Sequence, residues 1–74
     1  MQKDDRLIEI FGERVLEERL KQDLTQLDLA TLAETDERQI RRIEKAENAV
    51  SFILAYKVSQ ALKVNFEDLM VSKS

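Results

Sequence analysis

An all-α domain of five helices is predicted by three observations. The chain of 74 residues has no Pro and one Gly, too few turn formers for a barrel or sandwich of short strands. Apolar residues recur at three- and four-residue steps along most of its length, the period of helices with one buried face. Thr, Asp, Ser and Asn stand just before those apolar runs, where N-caps belong. A composition 43% hydrophobic and 36% charged suits a folded helical chain. The length permits one core, so residues 1–74 read as a single domain. A core this small is marginal alone, which favours association.

The first helix is expected over about 5–22. Leu7, Ile8, Phe11, Val15, Leu16 and Leu20 form its apolar stripe, and Glu9, Glu13, Glu17 and Glu18 fall largely opposite. Gly12 weakens this helix by about 1 kcal/mol against Ala and permits close backbone approach. Asp23 suits its end, because Asp tolerates left-handed backbone. Thr25 opens a second helix of about two turns. Thr25-Gln26-Leu27-Asp28 resembles a capping box with Asp at its third position. Leu29, Ala30, Leu32 and Ala33 are its expected inner side.

Glu34-Thr35-Asp36 breaks the chain, and Asp36 caps a third helix with Gln39 completing a box. Ile40 and Ile43 lie inward. Glu37, Arg38, Arg41, Arg42 and Lys45 share the outer face. Residues 46–50 form a loop with Asn48 at its turn. Ser51 caps a fourth helix to about Leu62, with Leu54, Ala55, Val58, Ala61 and Leu62 inward. After the break at Lys63-Val64-Asn65, Asn65 caps a short fifth helix, Phe66 to Met70. These last two helices occupy about 51–70. Two short helices joined by three residues, the second cationic outside, make a helix-turn-helix at about 25–45.

Several function classes drop out. With no Cys and no His, disulfides, zinc clusters and Ser-His-Asp chemistry are excluded. Adjacent Glu17-Glu18 and Glu67-Asp68 do not face each other on a helix and form no acid–base dyad. No metal site, cofactor or enzymatic activity is expected, nor a small-molecule effector. No apolar run reaches the roughly 18 residues of a membrane span, and the acidic start is unlike a signal peptide. A cytoplasmic protein is expected, nucleoid-associated when on DNA. The net charge is −3. Acid is concentrated in residues 1–34, with five basic and nine acidic side chains. Distribution matters more than the total.

Phe11-Gly12-Glu13-Arg14-Val15, then Arg19, Leu24-Thr25-Gln26-Leu27-Asp28-Leu29-Ala30, Ile40-Arg41-Arg42-Ile43-Glu44 and the run from Ala61 to Leu69 stand in a specific order and spacing. This pattern resembles the phage repressor/Cro-like (XRE-type) helix-turn-helix family, from about Phe11 to Leu69. The resemblance implies a lambda-repressor-like five-helix fold. The family usually has Gly where Asp23, Glu34 and Ala46 stand, and often Pro at the Val50 position. Strained or reshaped turns are therefore expected. Leu16 and Glu18 reverse the family's polar/apolar choice, which suggests a rebuilt first-helix face.

In helix-turn-helix proteins the second helix enters the major groove with its N-terminal residues at base edges. Those positions here are Glu37, Arg38, Arg41 and Arg42, and the resemblance singles out Glu37, Arg38 and Arg42. An Arg fork can bond guanine O6 and N7 together, and Glu37 can accept from cytosine N4. The plain alternative is a solvated face with a Glu37–Arg41 ion pair. Thr25, Gln26, Gln39, Lys45 and Asn48 are the candidate phosphate or backbone contacts. The resemblance has Gln26 bond a phosphate and brace the recognition helix, although Thr25 could serve simply as a cap. It also implies a partly buried ion pair between Arg19 and Glu44 that sets the recognition helix's angle. Phe52, Ile53, Tyr56, Leu69, Met70 and Val71 exceed the apolar surface a monomer readily buries. Phe52, Ile53, Tyr56, Met70 and Val71 are the candidate dimer interface, with ordinary core the alternative for Tyr56 and Leu69.

The expected function is a sequence-specific regulator of transcription, a repressor, binding double-stranded DNA as a homodimer on a near-palindromic operator. The alternative is an antitoxin-like protein-interaction module with a reduced DNA surface. Acidic Asp36 and Glu37 at the recognition helix's start and the missing turn glycines favour that alternative. A third reading, a helical bundle with no ligand, has less behind it.

Overall fold

Four α-helices and one 3-10 helix make the fold: α1 (Gln2–Lys21), α2 (Gln26–Leu32), α3 (Glu37–Glu44), α4 (Phe52–Leu62) and the 3-10 helix Phe66–Met70. They come from a computed structural model that describes residues 2–73. No strand occurs among those residues, and none of their helices is long and apolar enough to cross a membrane. The expected fifth α-helix is thus a 3-10 helix. It is five residues long, too short for α-helical propagation to outweigh nucleation. The Asn65 side chain does not cap it; the Asn65 backbone carbonyl accepts from the Asp68 amide at 3.0 Å instead.

The start signals act as read. Thr25 Oγ1 accepts from the Asp28 amide at 2.9 Å, and Asp28 Oδ2 accepts from the Thr25 amide at 2.9 Å. Those bonds from the Thr25 backbone and side chain hold the Asp28 carboxyl below its ordinary pKa. Asp36 Oδ1 accepts from the Gln39 amide at 2.9 Å. The Gln39 side chain does not return the bond, so only half of that box forms. Ser51 Oγ accepts from the Leu54 amide at 3.1 Å and starts α4.

The stops are less ordinary. Asp23, Glu34, Ala46 and Lys63 all have left-handed backbone, with φ of 58°, 59°, 55° and 61°. Each follows an α-helix, and each turn closes with a six-to-one backbone bond: Leu24 to Arg19, Thr35 to Ala30, Glu47 to Arg42 and Val64 to Ser59. These are Schellman ends, normally occupied by Gly. Three are the positions where the family has Gly; Lys63 was not foreseen. The missing glycines therefore leave the turn geometry intact and add strain, roughly 1–2 kcal/mol per residue.

One core joins all five elements. Phe11 and Val15 of α1 meet Leu29, Ala30, Ala33, Ile40, Ile43, Ala55, Val58, Leu62 and Leu69, all buried. The expected α1 stripe needs correction. Leu7, near the start of α1, is 44% exposed, and Leu20 is 58% exposed because it lies on the side of α1 opposite Phe11, while Glu18 is buried with Arg14 and Arg19. Glu18 is tolerated there because Arg14 Nη2 donates to its Oε2 at 3.1 Å. Burial pushes its carboxyl pKa up, but the bonds and charges of Arg14 and Lys21 outweigh this and hold it below the ordinary value. Arg14 Nε also donates to the Asp68 carbonyl at 3.2 Å, tying the 3-10 helix to α1. In α2 the expected inward Leu32 is 56% exposed. Leu29, Ala30 and Ala33 suffice to face the core, and Leu32 lies off that arc.

Gly12 is where α1 touches the end of α3. A Cβ there would collide with the Ile43 carbonyl oxygen and lie 3.3 Å from that of Glu44. Both obstacles are backbone, so α3 would have to move. Gly12→Ala should therefore lose about 1–3 kcal/mol in denaturant unfolding, despite gaining helix propensity. A stabilised variant would show that α1 and α3 are not in this contact.

Candidate nucleic-acid interface

The candidate interface is the outer face of α3. Its inner face is fixed by Ile40 and Ile43, both buried, and its start by the Asp36 cap. Its last residue, Glu44, is fixed from two directions. Arg19 Nε and Nη2 donate to Glu44 Oε2 and Oε1 at 2.6 and 3.1 Å, a bidentate fork. Gln26 Nε2 donates to Glu44 Oε1 at 3.0 Å. A fourth bond, Arg19 Nη1 to the Leu24 carbonyl at 2.8 Å, anchors the arginine to the turn before α2. The Arg19 and Glu44 side chains are only 10% and 5% exposed. The ion pair suggested by the resemblance is thus present, and Gln26 joins it as the brace.

Glu37, Arg38, Arg41 and Lys45 are exposed, and Arg42 is half-buried. The Glu37–Arg41 ion pair does not form. Among the described residues Arg38, Arg41 and Lys45 have no carboxylate partner. Three free cations with exposed side chains on one helix face make a positive edge on a chain whose net charge is −3. Arg42 is different. Its Nε lies 3.7 Å from Glu47 Oε1. With the Asn48 amide oriented to suit its neighbours, Oδ1 accepts from Arg42 Nη2 at 3.1 Å and Nδ2 donates to the Glu47 carbonyl at 3.1 Å.

The structure brings the candidate contacts together unevenly. Thr25 and Gln26 open α2 beside the C-terminal end of α3, and the Thr25 hydroxyl is committed to its cap. Gln39 lies half-buried in the concavity it shares with Arg42 and Asn48. Lys45 and Asn48 follow α3, both exposed, and the Asn48 amide also meets Arg42.

The candidate dimer residues lie on α4 and the chain end. Phe52, Ile53, Tyr56 and Val71 are 74%, 67%, 51% and 62% exposed, while Met70 is half-buried. Tyr56 is therefore not core, whereas Leu69 is fully buried. Phe52 meets Phe66 edge-on at 6.3 Å, and Phe66 meets Phe11 at 6.1 Å. An aromatic run thus leads from core to exposed face.

Sequence reading missed Arg14 and Glu47. Arg14 and Glu18 stand at the i,i+4 spacing of a helical ion pair, a signal that was available. Arg42 and Glu47 are five apart across a helix end, and only the left-handed turn at Ala46 brings them together.

Removing one partner of a buried pair strands the other charge. Arg19→Ala should cost about 3–5 kcal/mol in equilibrium unfolding. A loss below about 1 kcal/mol would reduce the pair to a surface one.

A comparison with curated proteins gives no match. Among solved structures, the chain is similar to the crystal structure of the restriction-modification controller protein C.AhdI from Aeromonas hydrophila. The two are 29% identical with a TM-score of 0.80, over 84% of this chain and 94% of that one. The helix-turn-helix family profile matches residues 15–69. By that match, which spans α3, most of the core and the clamp that Arg19, Gln26 and Glu44 form, the chain belongs to the XRE-type helix-turn-helix family of non-enzymatic, DNA-binding transcription regulators.

Proposed function

We propose that the protein is a sequence-specific regulator of transcription, acting in the cytoplasm as a repressor, that binds a near-palindromic operator as a homodimer. The observation that carries this reading is the outer face of α3. Arg38, Arg41 and Lys45 stand exposed, without carboxylate partners among the described residues, on a helix whose other side is buried and clamped. In the major groove, Arg38 and Arg42 read guanine edges and Glu37 accepts from a cytosine amine, while Arg41 is within reach of the same groove. Thr25 and Gln26 approach a phosphate at the start of α2, and Gln39, Lys45 and Asn48 flank the backbone. Repression follows from occluding a promoter.

One α3 spans only a few base pairs, so the reading calls for a second copy. The exposed Phe52, Ile53, Tyr56 and Val71, with Met70 at their edge, support a two-fold contact through α4 and the chain end. A two-fold axis would set two copies of α3 on half-sites about 34 Å apart. The likeness to a controller protein supports a regulatory role.

The test is selection from a random duplex library at two salt concentrations, with Arg38→Ala/Arg42→Ala as control. An inverted repeat should be enriched, and the double variant should lose about 1–3 kcal/mol of base discrimination per arginine. Salt-sensitive binding without enrichment would leave backbone attraction alone. No binding at the lower salt would overturn the reading.

A further inference from the structure

We propose that Glu47 and Asn48 are positioning residues that set which edge of Arg42 reads DNA; this rests on the function proposed above. The left-handed turn at Ala46 folds the chain back, and the Glu47 amide bonds the Arg42 carbonyl at 3.1 Å. Their side chains then face each other. Glu47 Oε1 stands 3.7 Å from Arg42 Nε, and Asn48 Oδ1 accepts from Arg42 Nη2 at 3.1 Å. Nε–H and the neighbouring Nη2–H form one edge of the planar guanidinium; Asn48 takes the Nη2–H, and the Glu47 carboxylate faces Nε at ion-pair distance, beyond hydrogen-bond reach. The terminal edge, Nη1 with the second Nη2–H, stays open. That leaves one two-donor fork able to bond guanine O6 and N7.

The restraint matters because Arg42 has somewhere else to go. A cavity of about 260 Å³ lies beside it, lined by Gln39, Ile43, Asn48, Val50 and Leu54. Without the Asn48 acceptor and the Glu47 charge the long side chain can fold into that space and must be ordered again on binding. Among the described residues Arg38 has no such partner, so its fork is free on both edges. The cost of the restraint is electrostatic. Glu47 places a carboxylate next to the groove-reading helix, where it repels phosphate whatever the sequence.

These two effects have opposite signs, and the test uses that. The operator position read by Arg42 is first located as the one that Arg42→Ala relaxes. Binding to that operator, to the same duplex with the guanine replaced by adenine, and to unrelated duplex is then measured for wild type, Glu47→Ala, Glu47→Gln and Asn48→Ala. Thermal unfolding checks that each variant is folded.

Glu47→Ala should raise affinity for unrelated duplex, because a repelling charge is gone. It should also lower the guanine preference at that position by about fivefold, a fraction of what a full bidentate pair supplies. Asn48→Ala should lower the same preference without the gain in unspecific binding. In an Arg42→Ala background neither change should alter base preference at all. A folded Glu47→Ala variant that gains affinity equally for every duplex, its guanine preference unchanged, would overturn the proposal while leaving DNA reading by α3 in place. A wild-type protein with no base preference would overturn both.

Discussion

Both oxygens of the Glu44 carboxylate are committed, Oε2 to Arg19 and Oε1 to Arg19 and Gln26 together. Three helices therefore meet at one side chain. α1 supplies the arginine, α2 the amide and α3 the acid, and the acid is the last residue of the helix whose outer face carries the cations. The inner residues Ile40 and Ile43 would let α3 roll or slide within a small apolar core. The fork and the brace do not, because charge-assisted bonds in a bidentate geometry have direction. A buried ion pair is a poor source of net stability against a well-packed apolar pair, since its desolvation offsets most of its attraction. Its contribution here lies in orientation, which dispersion between Leu and Ile side chains cannot supply.

The close contact at Gly12 belongs to the same constraint. It lets α1 approach the carbonyls of Ile43 and Glu44, and so lets Arg19, two turns further along α1, reach the Glu44 carboxylate. The helix ends add a second layer. Four non-glycine residues in left-handed backbone close the four α-helices. Such strain persists only where the surroundings over-determine it. At Asp23 the turn also carries the Leu24 carbonyl that accepts from Arg19. At Ala46 it returns Glu47 and Asn48 to the side of Arg42. The turns therefore do more than stop helices: two of them deliver partners to the arginines of the clamp and of the outer face.

Much of this was legible in the sequence. The caps at Thr25, Asp36 and Ser51 are local, so they could be read from three or four neighbouring residues. The outward placement of Glu37, Arg38, Arg41 and Lys45 follows from helical spacing once Ile40 and Ile43 are placed inside. Arg19 and Glu44 lie 25 residues apart. Periodicity carries nothing about that pairing; only the family resemblance suggested it. The misreadings have a common cause. Leu7, Leu20 and Leu32 look like core by type, but Leu20 and Leu32 lie off the buried arcs of their helices, and a small domain lacks the surface to cover Leu7 near the start of α1. Glu18 looks like surface by type, yet Arg14 makes its burial tolerable. The 3-10 geometry at Phe66–Met70 could not be told from one α-helical turn by pattern, since five residues fit either.

If the carboxylate of Glu44 serves chiefly to orient α3, stability and DNA reading should come apart when the pair is replaced rather than broken. The most direct measurement is on Arg19→Met/Glu44→Leu, following unfolding free energy and discrimination between the selected operator and unrelated duplex. The double variant should remain folded within about 1 kcal/mol of wild type, because two packed apolar chains can substitute for a buried ion pair. Its discrimination should fall at least about tenfold, the equivalent of roughly 1.4 kcal/mol lost from base contacts. A folded double variant that still separates operator from unrelated duplex as the wild type does would contradict the orienting role of the clamp.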